Sequence, residues 1–268
     1  MLACVVLFAP RIAAASAVRA DLLAASTSLR PGQPIELAVR LRMDPEWHTY
    51  WINPGDAGLA TTVRWTLPDG FRAGELAWPF PTRLGEPPIV SFGYEGEALL
   101  LSTVEVPVTL ALESTATLAA RVDWVECRDM CVKGGADVAL TLPVEERDPS
   151  PSPESAAIAA ARRRVPVDSS AWTFKAAKQR DRIVLSAIPA SGSTPSPTRV
   201  TVFPVQPETL EHGAEQRLNA TPEQWQITLT PSAYATAFPT RLRAVVVSES
   251  GWLGSGSQPA AQIDVPIE

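Results

Sequence analysis

Apolar residues recur at every second position through most of the chain, and this alternation restricts the fold more than any other feature. Ile35, Leu37, Val39 and Leu41 alternate with Glu36, Ala38, Arg40 and Arg42; Val63, Trp65 and Leu67 repeat the pattern, as do Leu118, Ala120, Val122 and Trp124, then Val138, Leu140, Leu142 and Val144. A period of two sends successive side chains to opposite faces of a strand, so these segments read as half-buried β-strands. Turn signals lie between them, among them Asn53-Pro54-Gly55-Asp56, Pro68-Asp69-Gly70 and Gly134-Gly135.

The pattern breaks once. The tract EERDPSPSPES at 145–155 is charged and rich in proline and serine, which marks a boundary rather than core. A short helix is predicted after it, with Ser152 as cap, Pro153 at the first helical position, alanines to propagate it, Arg162 to Arg164 in the last turn and Pro166 as the stop. Beyond Ser169 the strand pattern resumes in RIVLSAI, RVTVFPV, WQITLT, RLRAVVVSE and AQIDVPI, spaced as in a second antiparallel sandwich. The expectation is an all-β chain of two tandem β-sandwich domains joined by a short helical linker. Its boundaries are a first domain at 21–146, the linker and helix at 147–168, and a second domain at 169–268. A chain of 268 residues accommodates two such cores.

Residues 1–20, MLACVVLFAPRIAAASAVRA, carry an apolar run from Leu2 to Pro10 followed by small residues, which resembles a secretory signal with cleavage near Ala17 or Ala20. No later run approaches the roughly 18 apolar residues of a spanning helix, so an exported protein is expected. The net charge of −6 argues against a nucleic-acid partner, which would need a basic face. Export also decides how the cysteines are read. Cys4 falls in the signal, and Cys127 and Cys131 remain as a pair in an oxidising compartment.

Three readings of that pair stay open on the residues alone. Flanking Arg128-Asp129-Met130 between two strand patterns, the cysteines can meet across a hairpin mouth. As a structural staple the bond would close a small ring worth about 2 kcal/mol, little for a domain with this much apolar material. As a redox pair, an exposed small-loop disulfide is open to thiolate attack, and the more exposed sulfur is the expected nucleophile. As a metal clip, Cys127, Met130 and Cys131 offer soft donors for Cu(I), but His48 and His212 sit in no metal-spaced cluster. Nearby charges leave the thiol pKa values undecided, since Arg128 and Lys133 favour a thiolate while Glu126 and Asp129 oppose it. No phosphate loop, nucleophile elbow or HExxH motif is present. The aromatic segments WHTYWINPGDAG at 47–58 and WPFPTR at 78–83 read as core rather than as a binding groove.

Four ordered motifs carry a resemblance. Trp47-His48-Thr49-Tyr50-Trp51-x-Asn53-Pro54-Gly55-Asp56-x-Gly58, Trp78-Pro79-x-Pro81-x-Arg83, Phe92-Gly93-Tyr94-Glu95-Gly96-Glu97 and Asp123-Trp124-x-x-Cys127-x-x-x-Cys131 together resemble the periplasmic N-terminal region of DsbD-type protein-disulfide reductases, in the ScsB-like, suppressor-of-copper-sensitivity branch. The resemblance is strong over about residues 30–145 and weaker afterwards. It implies immunoglobulin-like sandwiches and a reversible disulfide between Cys127 and Cys131. It also implies a membrane-embedded electron donor, a periplasmic thioredoxin-like acceptor, no cofactor beyond the dithiol, and a link to copper tolerance or cytochrome maturation. The segment Ser91-Phe92-Gly93-Tyr94 resembles the family's cap loop, so Phe92 first and Tyr94 second are implied as the aromatic shield of the disulfide. The sequence departs from family patterns in having Val90 and Ser91 where some relatives place acidic residues, and in the short separation of its cysteines. The alternative is a non-enzymatic periplasmic module, binding Cu(I) or a protein, in which the bond only closes a loop.

Overall fold

The computed structural model describes residues 16–168, 171–190, 199–221, 224–252 and 256–268. Residues 1–15, which hold Cys4 and most of the expected signal, lie outside them. Among the described residues no helix is long and apolar enough to cross a membrane.

Among the described residues the fold is all-β with one short helix, as the alternation predicts. The first sandwich is built from β1 (Val18–Ala24), β2 (Ile35–Met43), β3 (His48–Gly55), β4 (Thr62–Thr66), β5 (Arg72–Ala73), β6 (Thr82–Leu84), β7 (Ser91–Glu95), β8 (Glu97–Glu105), β9 (Thr115–Cys127) and β10 (Cys131–Pro143). One sheet runs β1-β2-β8-β5; the other runs β10-β9-β3-β7-β6, with β4 added on β9. Leu37, Val39 and Leu41 from one sheet and Leu118, Ala120, Val122 and Trp124 from the other meet in the core, the same residues that alternate in the sequence. β1 takes in Val18 to Ala20, which the sequence reading placed in the signal segment, because Val18 pairs with Met43 and its amide is held by the Glu126 carboxylate.

The helix α1 (Ser155–Arg162) starts later than the predicted cap. Ser152 instead accepts the amide of Glu154 at 3.2 Å and donates to the carbonyl of Ala24, which fastens the linker to the end of β1. Ile158 and Ala161 then bury against Leu23, Ala38, Leu99 and Leu101 on the outer face of the first sheet. That packing explains why Ala98 to Leu101 is apolar without alternation: Leu100 faces the core while Leu99 and Leu101 face the helix.

The second sandwich comprises β11 (Val167–Asp168), β12 (Trp172–Gln179), β13 (Arg182–Pro189), β14 (Val200–Pro204), β15 (Arg217–Ala220), β16 (Trp225–Leu229), β17 (Arg241–Ser248) and β18 (Ala260–Pro266), in sheets β11-β18-β17-β14 and β12-β13-β16-β15. Its core gathers Trp172, Trp225 and Trp252 around Ile183, Leu185, Val202 and Leu242. The run Ala244 to Val247 is apolar for the reason that applies in β8. Leu242, Ala244 and Val246 fill their own core, whereas Val245 and Val247 join Phe203 and Ala260 in packing on the first sandwich. At that junction Phe203 meets Phe92 edge-on at 5.3 Å and Trp51 at 6.3 Å.

Truncating such an aromatic leaves a void that neighbours on two separate sheets cannot fill. Phe203→Ala is expected to destabilise the chain by about 3–5 kcal/mol in urea unfolding; a loss below about 1 kcal/mol would mean that the junction adds little.

Candidate functional site

The two cysteines end one long hairpin. β9 and β10 pair without interruption from Thr115↔Pro143 to Cys127↔Cys131, and Arg128 to Met130 form the tip. Gly134 and Gly135, which read as a turn, lie inside β10. A Cβ on Gly134 would stand 2.3 Å from the indole nitrogen of Trp124, so the glycine serves close approach across the pair rather than chain reversal. The hairpin brings the Cα atoms of Cys127 and Cys131 to 4.2 Å and their sulfurs into a disulfide. Cys127 is buried, at 3% exposure, whereas Cys131 is exposed.

Strand register determines what surrounds the bond. His48 of β3 stands opposite Cys127 of β9. Residues facing each other across an antiparallel ladder share a sheet face, and so do residues two apart on one strand. His48, Tyr50 and Cys127 therefore lie together on the outer face, and Tyr50, Val125 and Cys127 form a small apolar cluster. The Tyr50 hydroxyl donates to Sγ of Cys127 at 2.7 Å and lies 3.4 Å from Sγ of Cys131. Nε2 of His48 lies 3.2 Å from the same hydroxyl, with the two rings edge-on at 5.2 Å. Burial raises the Tyr50 pKa above its ordinary value, which keeps the phenol a proton donor throughout the neutral range. Burial also lowers the pKa of His48, an effect that the Glu95 carboxylate partly offsets.

Phe92 and Tyr94 do not take the shielding role that the resemblance implied. Thr49 pairs with Tyr94 and Tyr50 with Gly93, so Phe92 and Tyr94 occupy the opposite face of the sheet from the disulfide. Phe92 is buried between Phe203 and the ring of His212, 5.0 Å away. Tyr94 is buried with its hydroxyl donating to the carbonyl of Pro79 at 2.7 Å. The aromatic against the sulfurs is Tyr50, from the segment read as core. Its signal in the sequence was the even spacing His48, Tyr50, Ile52, but which face that set occupied depended on the register with β9.

Tyr50 is itself seated on backbone. A Cβ on Gly58 would fall 2.2–2.4 Å from three atoms of the phenol ring, and Gly58 has φ +93°, so both space and conformation demand glycine there. Most of the charged side chains flanking the cysteines are engaged away from the sulfurs. Glu126 points to the inner face, where its carboxylate accepts from Ser16 Oγ at 2.7 Å, Trp124 Nε1 at 2.8 Å, and the amides of Ala17 and Val18 at 3.0 and 3.1 Å. Arg128 pairs with Asp129 at 2.9 Å and lies over the Trp47 ring. That leaves the Tyr50 hydroxyl as the polar group in direct contact with the buried sulfur. Among the described residues no three His, Cys, Asp or Glu side chains are grouped to hold a metal ion.

A hydrogen bond to a charged group is worth about 1.5–3 kcal/mol, and about 1.36 kcal/mol is one pKa unit. Tyr50→Phe is thus expected to raise the pKa of the reduced Cys127 thiol by about one to two units, measured by thiolate absorbance against pH; an unchanged titration would remove Tyr50 from the site. His48 gives a pH dependence of opposite origin. Because its folded pKa is depressed, the unfolded chain takes up the proton first, and stability present above the unfolded value of about 6.5 is lost as pH falls through the folded one. The urea midpoint should drop on acidification, and His48→Gln should flatten that component of the curve.

Comparison with known proteins bears on the fold and on the first sandwich. Residues 18–143 match the family model described as thiol:disulfide interchange protein DsbD, N-terminal. No curated protein matches the chain. Among solved structures, the N-terminal periplasmic domain of ScsB from Proteus mirabilis superposes with a TM-score of 0.62 at 18% identity, covering 93% of this chain and 91% of that one. A protein of unknown function from Porphyromonas gingivalis W83 covers 94% of this chain and 100% of its own at 10% identity, with a TM-score of only 0.28. The ScsB likeness shows that both sandwiches share a known fold, and the family match falls on the sandwich that bears the disulfide. Residues 18–143 therefore make up a DsbD-like N-terminal domain.

Proposed function

We propose that the chain is a periplasmic thiol–disulfide exchange module whose working groups are Cys127 and Cys131. The observation that carries this reading is the asymmetry of the pair: one sulfur is exposed at the hairpin tip, and the other is buried against a fixed hydroxyl donor. An exposed sulfur can be attacked, and the hydroxyl donor on the buried one opposes the rise in thiol pKa that burial brings, which favours its departure because exchange rates rise as the leaving thiol's pKa falls.

In the oxidised protein a partner thiolate attacks Sγ of Cys131. A bond forms between the partner's sulfur and Cys131, the Cys127–Cys131 bond breaks, and its electron pair stays on Cys127 as a thiolate that accepts the Tyr50 hydrogen bond. The partner's second thiolate then attacks its own sulfur in the mixed disulfide, and Cys131 departs as thiolate. The partner leaves oxidised and the chain holds two electrons as a dithiol. Running in reverse, Cys131 attacks an acceptor disulfide and Cys127 resolves the intermediate. The family supports a membrane-embedded donor and a thioredoxin-like acceptor in these two half-reactions. Exposed Met130, the residue before Cys131 at the hairpin tip, gives either partner adaptable apolar surface beside the attacked sulfur.

The experiment is trapping with single-cysteine variants. Reduced Cys127→Ser, mixed with an oxidised thioredoxin-like protein, should accumulate a covalent complex through Cys131, because the resolving sulfur is gone. Cys131→Ser should form it far more slowly, since Cys127 is buried. Equal trapping by the two variants would refute the assignment of roles, and no complex from either would refute exchange.

A further inference from the structure

The second sandwich has no part in the chemistry just described, yet it grips the loop on which Tyr50 rests. We infer that it is a positioning element for the exchange site, with Asn53 and His212 holding the loop 53–58 so that the Tyr50 hydroxyl stays on Cys127. This inference rests on the exchange reading for its purpose, though not for its test.

The contacts run in a continuous series. Asn53 is fully buried, and its Nδ2 donates to the carbonyl of Pro204, the last residue of β14, at 2.8 Å. Its Oδ1 accepts the amide of Gly55 at 3.1 Å, which shapes the turn that follows. One residue on, Asp56 reaches in two directions. Oδ2 accepts the amide of Val90 at 2.8 Å within the first sandwich, and Oδ1 lies 2.7 Å from Nδ1 of His212 in the second. His212 is fixed in turn by the edge of Phe92 and by Arg83, whose guanidinium donates to the His212 carbonyl. The next glycine, Gly58, is the floor under the Tyr50 ring.

Such a loop would otherwise be poorly constrained. Gly55 and Gly58 both have positive φ, and glycines carry the largest conformational freedom of any residue. The anchors inside the first sandwich, Val90 to Asp56 and Ser91 Oγ to the carbonyl of Ala57 at 3.4 Å, grip the loop from one side. The second sandwich grips it from the other, at the buried carbonyl of Pro204 and the buried ring of His212. A hydroxyl donor acts on a sulfur only over a narrow range of distance and angle, so loosening the floor beneath the phenol weakens the bond at 2.7 Å. The effect is carried through Tyr50, and His212 and Asn53 are thus positioning rather than catalytic residues.

The test uses the full chain carrying Cys4→Ser and Cys131→Ser, so that the thiolate titration reports Cys127 alone. His212→Ala is expected to raise the Cys127 pKa by about half a unit, about a threefold loss of thiolate below it. His212→Asn, whose Nδ2 stands where the imidazole Nδ1 was, should restore most of it. In a Tyr50→Phe background His212→Ala should add no further shift, because the coupling passes through the hydroxyl. Should His212→Ala prove unfolded in urea titration, Asp56→Asn weakens the same link while keeping an acceptor for Val90, and it should shift the titration in the same direction. A folded variant with an unmoved Cys127 titration overturns the inference, as does a shift of equal size with and without Tyr50. Neither result touches the trapping experiment, so the exchange reading and the positioning role fail separately.

Discussion

The pairing of His48 with Cys127 across the β3–β9 ladder decides how the rest of the site is arranged. Strand pairing has a side-chain period of two, so one fixed pair assigns every residue on both strands to a face. It sends Tyr50 to the sulfurs, and it sends Thr49 and Trp51 inward. It also orients Glu126 away from its neighbour Cys127, toward Trp124 and the start of β1. A slip of one residue would exchange the reactive face for the core face. The register is secured by burial on the inner side, where Trp51, Trp124 and Leu118 are all within the main core.

Much of this was legible in the sequence because it is local. Period-two alternation located the strands, the proline-serine tract marked the passage between sandwiches, and the last of the four motifs marked the hairpin that carries the disulfide. What remained hidden depended on pairing between distant segments. Gly134-Gly135 carries the composition of a turn, and only the position of Trp124 opposite Gly134 shows that Gly134 makes room for an indole. Phe92 and Tyr94 fit a cap by motif, yet their parity relative to Cys127 places them on the wrong side of the sheet. The helix start failed for a similar reason, since Ser152 had a better use in tying the linker to Ala24 than in capping. The apolar run in β17 gave no alternation to read because both of its faces are covered, one by its own core and one by the first sandwich.

The segment 47–58 illustrates how one stretch can serve two cores. Trp51 faces the interior and meets Phe203 of the second sandwich, Tyr50 faces out to the disulfide, and Asn53 crosses to a carbonyl of β14. Aromatic richness here reflects neither a groove nor simple filler. Each ring is placed by strand parity, and the polar residues that follow tie the ends of the loop to two separate sheets. A chemical group at the surface is thereby supported from the depth of the molecule.

The Glu126 carboxylate, held by two backbone amides, a serine hydroxyl and an indole, has a mechanical consequence. It welds the base of the hairpin to the neighbouring strand one residue before the sulfur, so breaking the crosslink frees only the three residues at the apex. Both oxidation states are therefore expected to share one scaffold, with little nuclear rearrangement on transfer of two electrons, so that a visiting protein meets the same contour whether the module arrives full or empty.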